Sequence, residues 1–97
     1  MKKPEIMGTL EPLTIKDGET GQLKIKASGV PKPTIKWLKD GKELRPTNRV
    51  ESVVDEDGTV ALVIKNARPE DAGTYSVVVH NPLGEAKSTA PVAVERE

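Results

Sequence analysis

The sequence has 97 residues, and its 15 Lys and Arg side chains are balanced by 15 Asp and Glu side chains. This balance excludes the strong basic field with which proteins attract nucleic acid or an anionic membrane surface. The absence of cysteine excludes disulfides, thiolate metal sites and thiol catalysis, and it favours a reducing compartment such as the cytoplasm. The length predicts a single domain over residues 1–97 with one core.

Short β-prone runs alternate with turn signals along the whole chain, and no stretch has a sustained helical period. This pattern predicts seven or eight strands, with the first strand kinked at Glu11-Pro12. In chain order, the predicted strands cover residues 4–10, 13–16, 23–27, 34–38, 49–54, 60–64, 74–80 and 86–94. Their number and spacing are typical of a sandwich of two antiparallel sheets.

Alternation along the predicted strands indicates which side chains face the core. Ile25 lies between Lys24 and Lys26, so the two lysines are expected to face solvent while the isoleucine faces inward. By the same alternation, Leu62 and Val77 face inward on their own strands. These residues are predicted to form part of the core between the sheets.

Turn and edge signals separate the predicted strands. Asp40-Gly41 is a strong short-range hairpin signal. Residues 81–84 read Asn-Pro-Leu-Gly, with proline and glycine at positions that suit a four-residue hairpin turn. Pro91 lies within the last predicted strand, and because proline cannot donate to a ladder, we expect it at an edge or a bulge.

Several of these segments together resemble a known family. Trp37 is the only tryptophan and lies near the end of the fourth predicted strand. Residues 71–75 read Asp-Ala-Gly-Thr-Tyr, and the tyrosine lies two positions before the core residue Val77. In these features the chain resembles the intermediate set, or I-set, of immunoglobulin domains, in particular those of titin, twitchin, obscurin and myosin-binding protein C. The matching positions are residues 29–33, 37, 39–41, 62–64, 71–75, 81, 84 and 86–94.

The resemblance implies an all-β, immunoglobulin-like antiparallel sandwich of two sheets with Greek-key connections and no disulfide. Ile25 and Val77 occupy the two core positions where such domains usually carry cysteines. We therefore expect the two aliphatic side chains to fill that space over Trp37. A Trp at the surface could instead stack on a ligand, but the family position favours the core.

The resemblance also implies structural roles for three polar residues. The hydroxyl of Tyr75 is expected to bond back to backbone near Arg68 or Asp71, as the corner tyrosine of the fold does. Arg49 and Asp71 are expected to form a salt bridge that closes one end of the sandwich. The alternatives are a catalytic phenol for Tyr75, and an acid and a substrate clamp for the ion pair.

The sequence offers no arrangement that indicates catalysis, a metal or a cofactor. His80 is the only histidine, and no thiol or carboxylate stands at ligand spacing from it. Residues 55–57 form an acidic group in a turn that could hold calcium, although a solvated turn is favoured because no EF-hand spacing follows. We expect the protein not to be an enzyme and to need no cofactor.

The outer face of the sheet made of the fourth, seventh and eighth predicted strands is one candidate partner surface. Leu38 and Val78 would form a small exposed apolar patch there, beside Lys36. Other residues predicted on this face are Ser76, His80, Lys87 and Thr89. The ordinary alternative, which we favour, is scattered apolar residues on a normal surface.

The other sheet carries a second candidate surface with Lys24 and Lys26, joined by Lys65 and Arg68. Related immunoglobulin domains use such basic faces to bind actin filaments. Solvated lysines are again the ordinary alternative.

The expected function follows from the resemblance. It implies a non-catalytic structural and protein-interaction module from a large intracellular muscle or cytoskeletal protein, acting as a rigid bead between immunoglobulin or fibronectin neighbours and contacting myofilament proteins. In isolation it should be a monomer that binds neither nucleic acid nor membrane. The alternatives are a regulatory or actin-binding module next to a kinase, and a cysteine-free scaffold obtained by engineering.

Overall fold

A computed structural model of the chain describes residues 1–45 and 47–96, and nearly all of the regular structure is strand. The nine strands within the described residues are β1 (Lys2–Met7), β2 (Leu13–Lys16), β3 (Gly21–Val30), β4 (Thr34–Lys39), β5 (Lys42–Glu43), β6 (Val50–Val54), β7 (Thr59–Ile64), β8 (Gly73–Asn81) and β9 (Gly84–Glu95). A 3-10 turn, Pro69–Asp71, precedes β8.

The strands form two sheets that enclose one core. The first sheet has the order β1-β3-β7-β6, and the second has the order β2-β9-β8-β4-β5. All pairings are antiparallel except that of β2 with β9, which is parallel. The prediction of an all-β sandwich with two sheets and no disulfide is confirmed.

The start of the chain differs from the prediction. β1 ends at Met7 rather than at residue 10, and the break lies at Gly8, whose φ is +87°, rather than at Glu11-Pro12. The chain leaves the first sheet here and joins the second sheet as β2. Leu10 is buried although it lies outside any strand, and its backbone N–H donates to Ser88 Oγ at 2.9 Å. An apolar residue in this crossing segment therefore resembled a strand residue in sequence.

The core follows the predicted alternation. In β3 the inward residue Ile25 is 5% exposed, whereas the flanking Lys24 and Lys26 are exposed. Trp37 is buried in β4, and its indole Nε1–H donates to Ser52 Oγ at 3.1 Å. The other apolar residues of the core are Leu10, Ile15, Leu23, Ala27, Val50, Val60, Leu62, Ile64, Ala67, Tyr75, Val77, Val79, Ala90 and Val92.

Pro91 lies at an edge position of β9, as predicted. Asp17 N–H donates to Glu95 C=O at 2.8 Å, so Glu95 presents its backbone groups toward β2. Backbone N–H and C=O groups point to alternate sides along a strand, so Pro91, four residues before Glu95, presents its donor-free nitrogen to the same side as Glu95 does. The pairing with β2 begins only at Val92, so the missing N–H costs no ladder bond.

The sandwich measures 49 × 22 × 22 Å and has two different ends. We call the end with the start of β1 and the turns at 31–33, 55–58 and 82–83 the open pole. The end with residues 17–20, 65–72 and the end of β9 is the closed pole. At the open pole, Gly58 has a φ of +93°, its C=O accepts the N–H of Ala27 at 2.9 Å, and a Cβ in its place would collide with the Ala27 carbonyl oxygen.

Candidate interaction surfaces

A polar cluster at the closed pole is centred on Asp71. One carboxylate oxygen, Oδ2, accepts hydrogen bonds from Arg49 Nη1 at 2.9 Å and from the backbone N–H of Arg68 at 2.8 Å. The other oxygen, Oδ1, accepts from Arg49 Nη2 at 3.2 Å. The arginine also donates to the backbone carbonyl of Asn66 at 3.2 Å. The cluster thus joins the chain before β6 to the turn that leads into β8.

Tyr75 extends this cluster into the core. It is 1% exposed, and its hydroxyl donates to the backbone carbonyl of Asp71 at 2.7 Å. This is one of the two acceptor positions that the resemblance implied. Burial, assisted by the negative charges of Asp71 and Asp40, raises the pKa of Tyr75 to about 12, so the phenol stays neutral at physiological pH.

The carboxylate of Asp71 remains ionised in spite of its burial. Burial alone would raise the pKa of this group, but the hydrogen bonds from Arg49 and from the backbone N–H of Arg68 outweigh it and hold the pKa below its usual value. Both carboxylate oxygens of Asp71 and the hydroxyl of Tyr75 already have structural partners. The arrangement therefore indicates a structural role for Asp71 in holding this end of the sandwich together, and not a role as a proton donor.

The open pole has a cleft of about 760 Å³ between the ends of the two sheets. Apolar side chains from both sheets line its floor, including Ile35 of β4 and Val60 of β7. Charged residues at its rim have both signs, namely Lys2, Lys3, Lys32, Glu5, Glu56 and Asp57. No pattern in the sequence indicated this cleft, because its walls come from two separate turns, the end of β3 and the start of β1.

Exposed apolar residues are concentrated around this pole. Val30 is 53% exposed, Val54 is 43% exposed and Leu83 is 37% exposed. Val53, the neighbour of Val54, is 44% exposed on the outer face of β6. Such a group of apolar side chains is a common feature of surfaces that contact other proteins.

The predicted apolar patch on the second sheet is less exposed than expected. The register brings Lys36, Val78 and Lys87 into one row, so lysines flank Val78 on both sides and their alkyl stems can cover it. Val78 and Leu38 are only half-buried residues of the face, not exposed ones. Ser76, which was assigned to the same outer face, is in fact buried, and its hydroxyl is 3.0 Å from that of Thr89.

The predicted basic surface on the first sheet is divided. Lys24 and Lys26 are exposed on β3, opposite Ala61 and Thr59 of β7. Lys65 lies beyond the end of β7, and its Nζ is 3.3 Å from a carboxylate oxygen of Glu51. Arg68, the fourth member, is exposed at the 3-10 turn of the closed pole. The two lysines of β3 are therefore the continuous part of this surface.

Within residues 1–45 and 47–96, no group of three or more His, Asp and Glu side chains could hold a metal ion. The acidic turn at 55–57 instead has internal hydrogen bonds, since Asp57 Oδ1 accepts the N–H of Thr59 at 3.0 Å. This bond holds the pKa of Asp57 below its usual value. In the same residues, no helix has the length and apolar character needed to cross a bilayer.

Comparison with known proteins identifies similar domains. The model of the family described as the immunoglobulin I-set domain matches residues 4–94. The muscle M-line assembly protein unc-89 of Caenorhabditis elegans is 40% identical over 95 residues, which are 98% of this chain and 1% of that protein. This chain therefore spans a very small part of that relative.

Solved structures agree in fold over the whole chain. The crystal structure of the titin M3 domain has a TM-score of 0.95 and 32% identity, and the match covers 99% of this chain and 100% of that one. A titin M10 and obscurin-like 1 immunoglobulin complex contains a chain with a TM-score of 0.95 and 29% identity, covering 100% of this chain and 98% of that one. The sandwich described above is thus shared with domains of muscle proteins.

Proposed function

Because the chain belongs to the immunoglobulin I-set family, we propose that it is a non-catalytic structural and protein-interaction module. It works as a rigid bead in a multidomain array of a large muscle or cytoskeletal protein, in the cytoplasm at the sarcomere or cytoskeleton. Fold alone does not define function, so the proposal depends on how the sandwich can carry load and contact other proteins.

The observation that carries the proposal is the direction of the chain through the sandwich. β1 begins at the open pole, and β9 ends at the closed pole, at the two ends of a body 49 Å long. Domains joined in series through such ends line up along their long axes. Force applied through the two ends then runs parallel to the strands.

The parallel pair of β2 and β9 is suited to resist that force. Leu13 pairs with Val92 and Lys16 pairs with Glu95, close to the closed pole. Force that pulls the first strands toward the open pole and β9 toward the closed pole shears this pair. In shear, all the hydrogen bonds between the two strands must break together rather than one after another.

The non-catalytic part of the proposal is supported by the polar cluster at the closed pole. The groups that could act as acid, base or clamp are Asp71, Tyr75 and Arg49, and each is bonded to its neighbours. The interaction part is supported by a similar chain that is solved as one partner of a titin M10 and obscurin-like 1 immunoglobulin complex. We propose comparable contacts with protein domains for this chain.

The proposal can be tested by pulling a chain of eight identical copies in a single-molecule force experiment. Each domain should unfold in a separate event, and each event should lengthen the chain by about 280 Å, since about 97 extended residues replace a folded length of 49 Å. Gradual extension without separate force peaks would contradict a load-bearing role.

Two proline variants sharpen this experiment. Ala93 presents its N–H toward β2, because it lies two residues before Glu95 in β9. Ala93→Pro should therefore lower the unfolding force. Lys87→Pro is the matched control, because its N–H faces the unpaired part of the edge. Equal forces for the two variants would show that the pair of β2 and β9 does not bear the load.

A further inference from the structure

The pairing of β6 with β7 determines which backbone groups of β6 stay free. In an antiparallel ladder, pairs that exchange both hydrogen bonds alternate with pairs that exchange none. Lys65 N–H donates to Arg49 C=O at 2.6 Å just before the ladder, and Asp55 N–H donates to Thr59 C=O at 2.8 Å just after it. Both bonds belong to the same alternation, so residues 49, 51, 53 and 55 bond to β7 through their backbone N–H and C=O groups. The backbone groups of the residues between them point away from β7.

The residues whose backbone groups point away from β7 are Val50, Ser52 and Val54. Thr47 already bonds to both backbone groups of Val50. Its N–H donates to the Val50 C=O at 2.9 Å, and its Oγ1 accepts the Val50 N–H at 3.2 Å. Within residues 1–45 and 47–96, the N–H and C=O groups of Ser52 and Val54 have no such partner on this side. They form a short open edge of four backbone groups, which we call the β6 edge.

The side chains at this edge are unusual for a free strand. Edge strands generally carry lysine, proline or a bulge that prevents another strand from pairing. The edge of β9 follows this rule with Lys87 and Pro91. The β6 edge has instead two adjacent valines, Val53 and Val54, that are 44% and 43% exposed. Val54 also lines the cleft at the open pole.

The charges around the β6 edge are acidic. Glu51 precedes the two valines, and Asp55, Glu56 and Asp57 follow them directly. Of these four carboxylates, only that of Glu51 has an ion-pair partner within the described residues, and the partner is Lys65. A strand that pairs here would therefore place its own side chains among carboxylates, and basic residues would complement them.

We propose that the β6 edge binds an extended segment of another protein in which apolar and basic residues alternate. The segment adds a fifth strand to the first sheet and bonds to the N–H and C=O groups of Ser52 and Val54. Its apolar residues pack on Val53 or enter the cleft beside Val54, and its basic residues face the carboxylates. This inference gives a partner chemistry to the interaction role proposed above and does not depend on the load-bearing role.

A second copy of the same strand fits this edge poorly. Antiparallel pairing of Ser52 with Val54 between two copies would bring Glu51 of each chain opposite Asp55 of the other. Like charges in directly opposite positions destabilise a ladder. A basic segment removes this repulsion, so the charge pattern favours a different partner over self-association.

The inference can be tested with a seven-residue peptide of alternating lysine and valine, blocked at both ends, and the folded domain at low salt. The amides of Ser52 and Val54 should gain protection from hydrogen exchange, and their NMR signals should shift in a saturable manner. The binding should weaken as salt is added. A peptide with glutamate in place of lysine should produce neither effect.

Variants test the charge and backbone parts separately. Asp55→Lys with Glu56→Lys should weaken the peptide affinity by about tenfold or more. Glu85→Lys makes the same kind of charge change on the exposed edge of β9 and should leave the affinity unchanged. Val54→Pro removes a donor that faces the peptide and not β7, so it should also weaken binding by about tenfold.

Three results would overturn the inference. These are protection of other strands in place of Ser52 and Val54, equal binding of the glutamate peptide, and dimerisation of the free domain through β6. If Val54→Pro does not fold, the double lysine variant still tests the inference. It should keep the fold, because Asp55 bonds to Thr59 and Gly58 through its backbone, which the substitution does not change. A failure here would leave the outcome of the force experiment unaffected.

Discussion

The two poles of the sandwich are built in opposite ways. At the closed pole, hydrogen bonds join Asp71 to Arg49, Arg68 and Tyr75. At the open pole, apolar side chains such as Val54 remain exposed around a cleft. Hydrogen bonds between polar groups thus hold one end of the domain together, whereas apolar side chains stay open to solvent at the other end, and both ends share one core.

The largest effect is expected in the shared core rather than at either pole. Trp37→Ala should lower the free energy of unfolding by about 3–5 kcal/mol, because a large buried side chain leaves a cavity between the sheets. A denaturant melt measures this loss. The control is Ser52→Ala, which removes the acceptor of the indole N–H and should cost about 1 kcal/mol. A mild effect of Trp37→Ala would mean that the poles are not joined by a common core.

The next largest effect should distinguish the poles directly. Asp71→Asn should destabilise the domain by about 2–3 kcal/mol, because the amide has one acceptor oxygen where the carboxylate has two, so an NH2 group would face Arg49 Nη2 and the ion pair would be lost. The matched change at the open pole, Asp57→Asn, should have little effect, because that side chain is exposed and the amide oxygen can still accept the Thr59 N–H. Equal losses in thermal melts of the two variants would remove the distinction between the poles.

The ionisation of Asp71 also predicts how acid affects the stability of the domain. The pKa of Asp71 is lower in the folded state than in the unfolded chain, so its contribution is complete above about pH 4 and is lost as the pH falls through the folded value. Denaturant midpoints measured from pH 5 to pH 2 should therefore fall more steeply for the parent than for Asp71→Asn. Parallel curves would indicate that other carboxylates control the acid response.

A smaller effect is expected at the inner boundary of the closed pole. Tyr75→Phe should cost about 1–2 kcal/mol, because the carbonyl of Asp71 loses its donor. Tyr75 has a folded pKa of about 12, above the usual value near 10, so its contribution is complete below pH 10 and is lost as the pH rises toward 12. The variant should lose part of the alkaline destabilisation seen in the parent, as measured by denaturant midpoints from pH 9 to pH 12.

The smallest effect is expected at the open pole. Leu83→Ser should change the free energy of unfolding by no more than about 0.5 kcal/mol, because the side chain is 37% exposed and packs outside the core. The turn itself should persist, since the Leu83 N–H donates to Asn81 Oδ1 at 2.9 Å and serine keeps that N–H. A loss above 1 kcal/mol in the thermal melt would show that the open pole is also stabilising.

Sequence predicted the parts of the fold that depend on local periodicity. The alternation around Ile25 correctly placed the isoleucine inside and its lysine neighbours outside. The limits of β1 were wrong, because Leu10 is buried from a loop and periodicity cannot distinguish that from a strand. The exposure of Val78 was overestimated, because the covering residues lie on other strands and only the register brings them together.

The surfaces were less predictable than the fold. The contact of Arg49 with Asp71 spans 22 residues of sequence and was expected only from the resemblance to a family. Finding the β6 edge required knowing which residues of β6 bond to β7, and the composition of the two strands does not indicate this. The cleft beside Val54 could be found only once two turns and the ends of β1 and β3 were in their folded positions.

Gly58 has a consequence for how this chain tolerates change. The turn at 55–58 is exposed and acidic, and its other positions can accept many residues. At Gly58, however, the left-handed φ and the nearby carbonyl of Ala27 exclude every side chain, including the methyl group of alanine. In a library that varies each position in turn, this surface loop should contain one position as intolerant as the core. The turn that follows β6 thus depends on one glycine, whatever residues occupy its other positions.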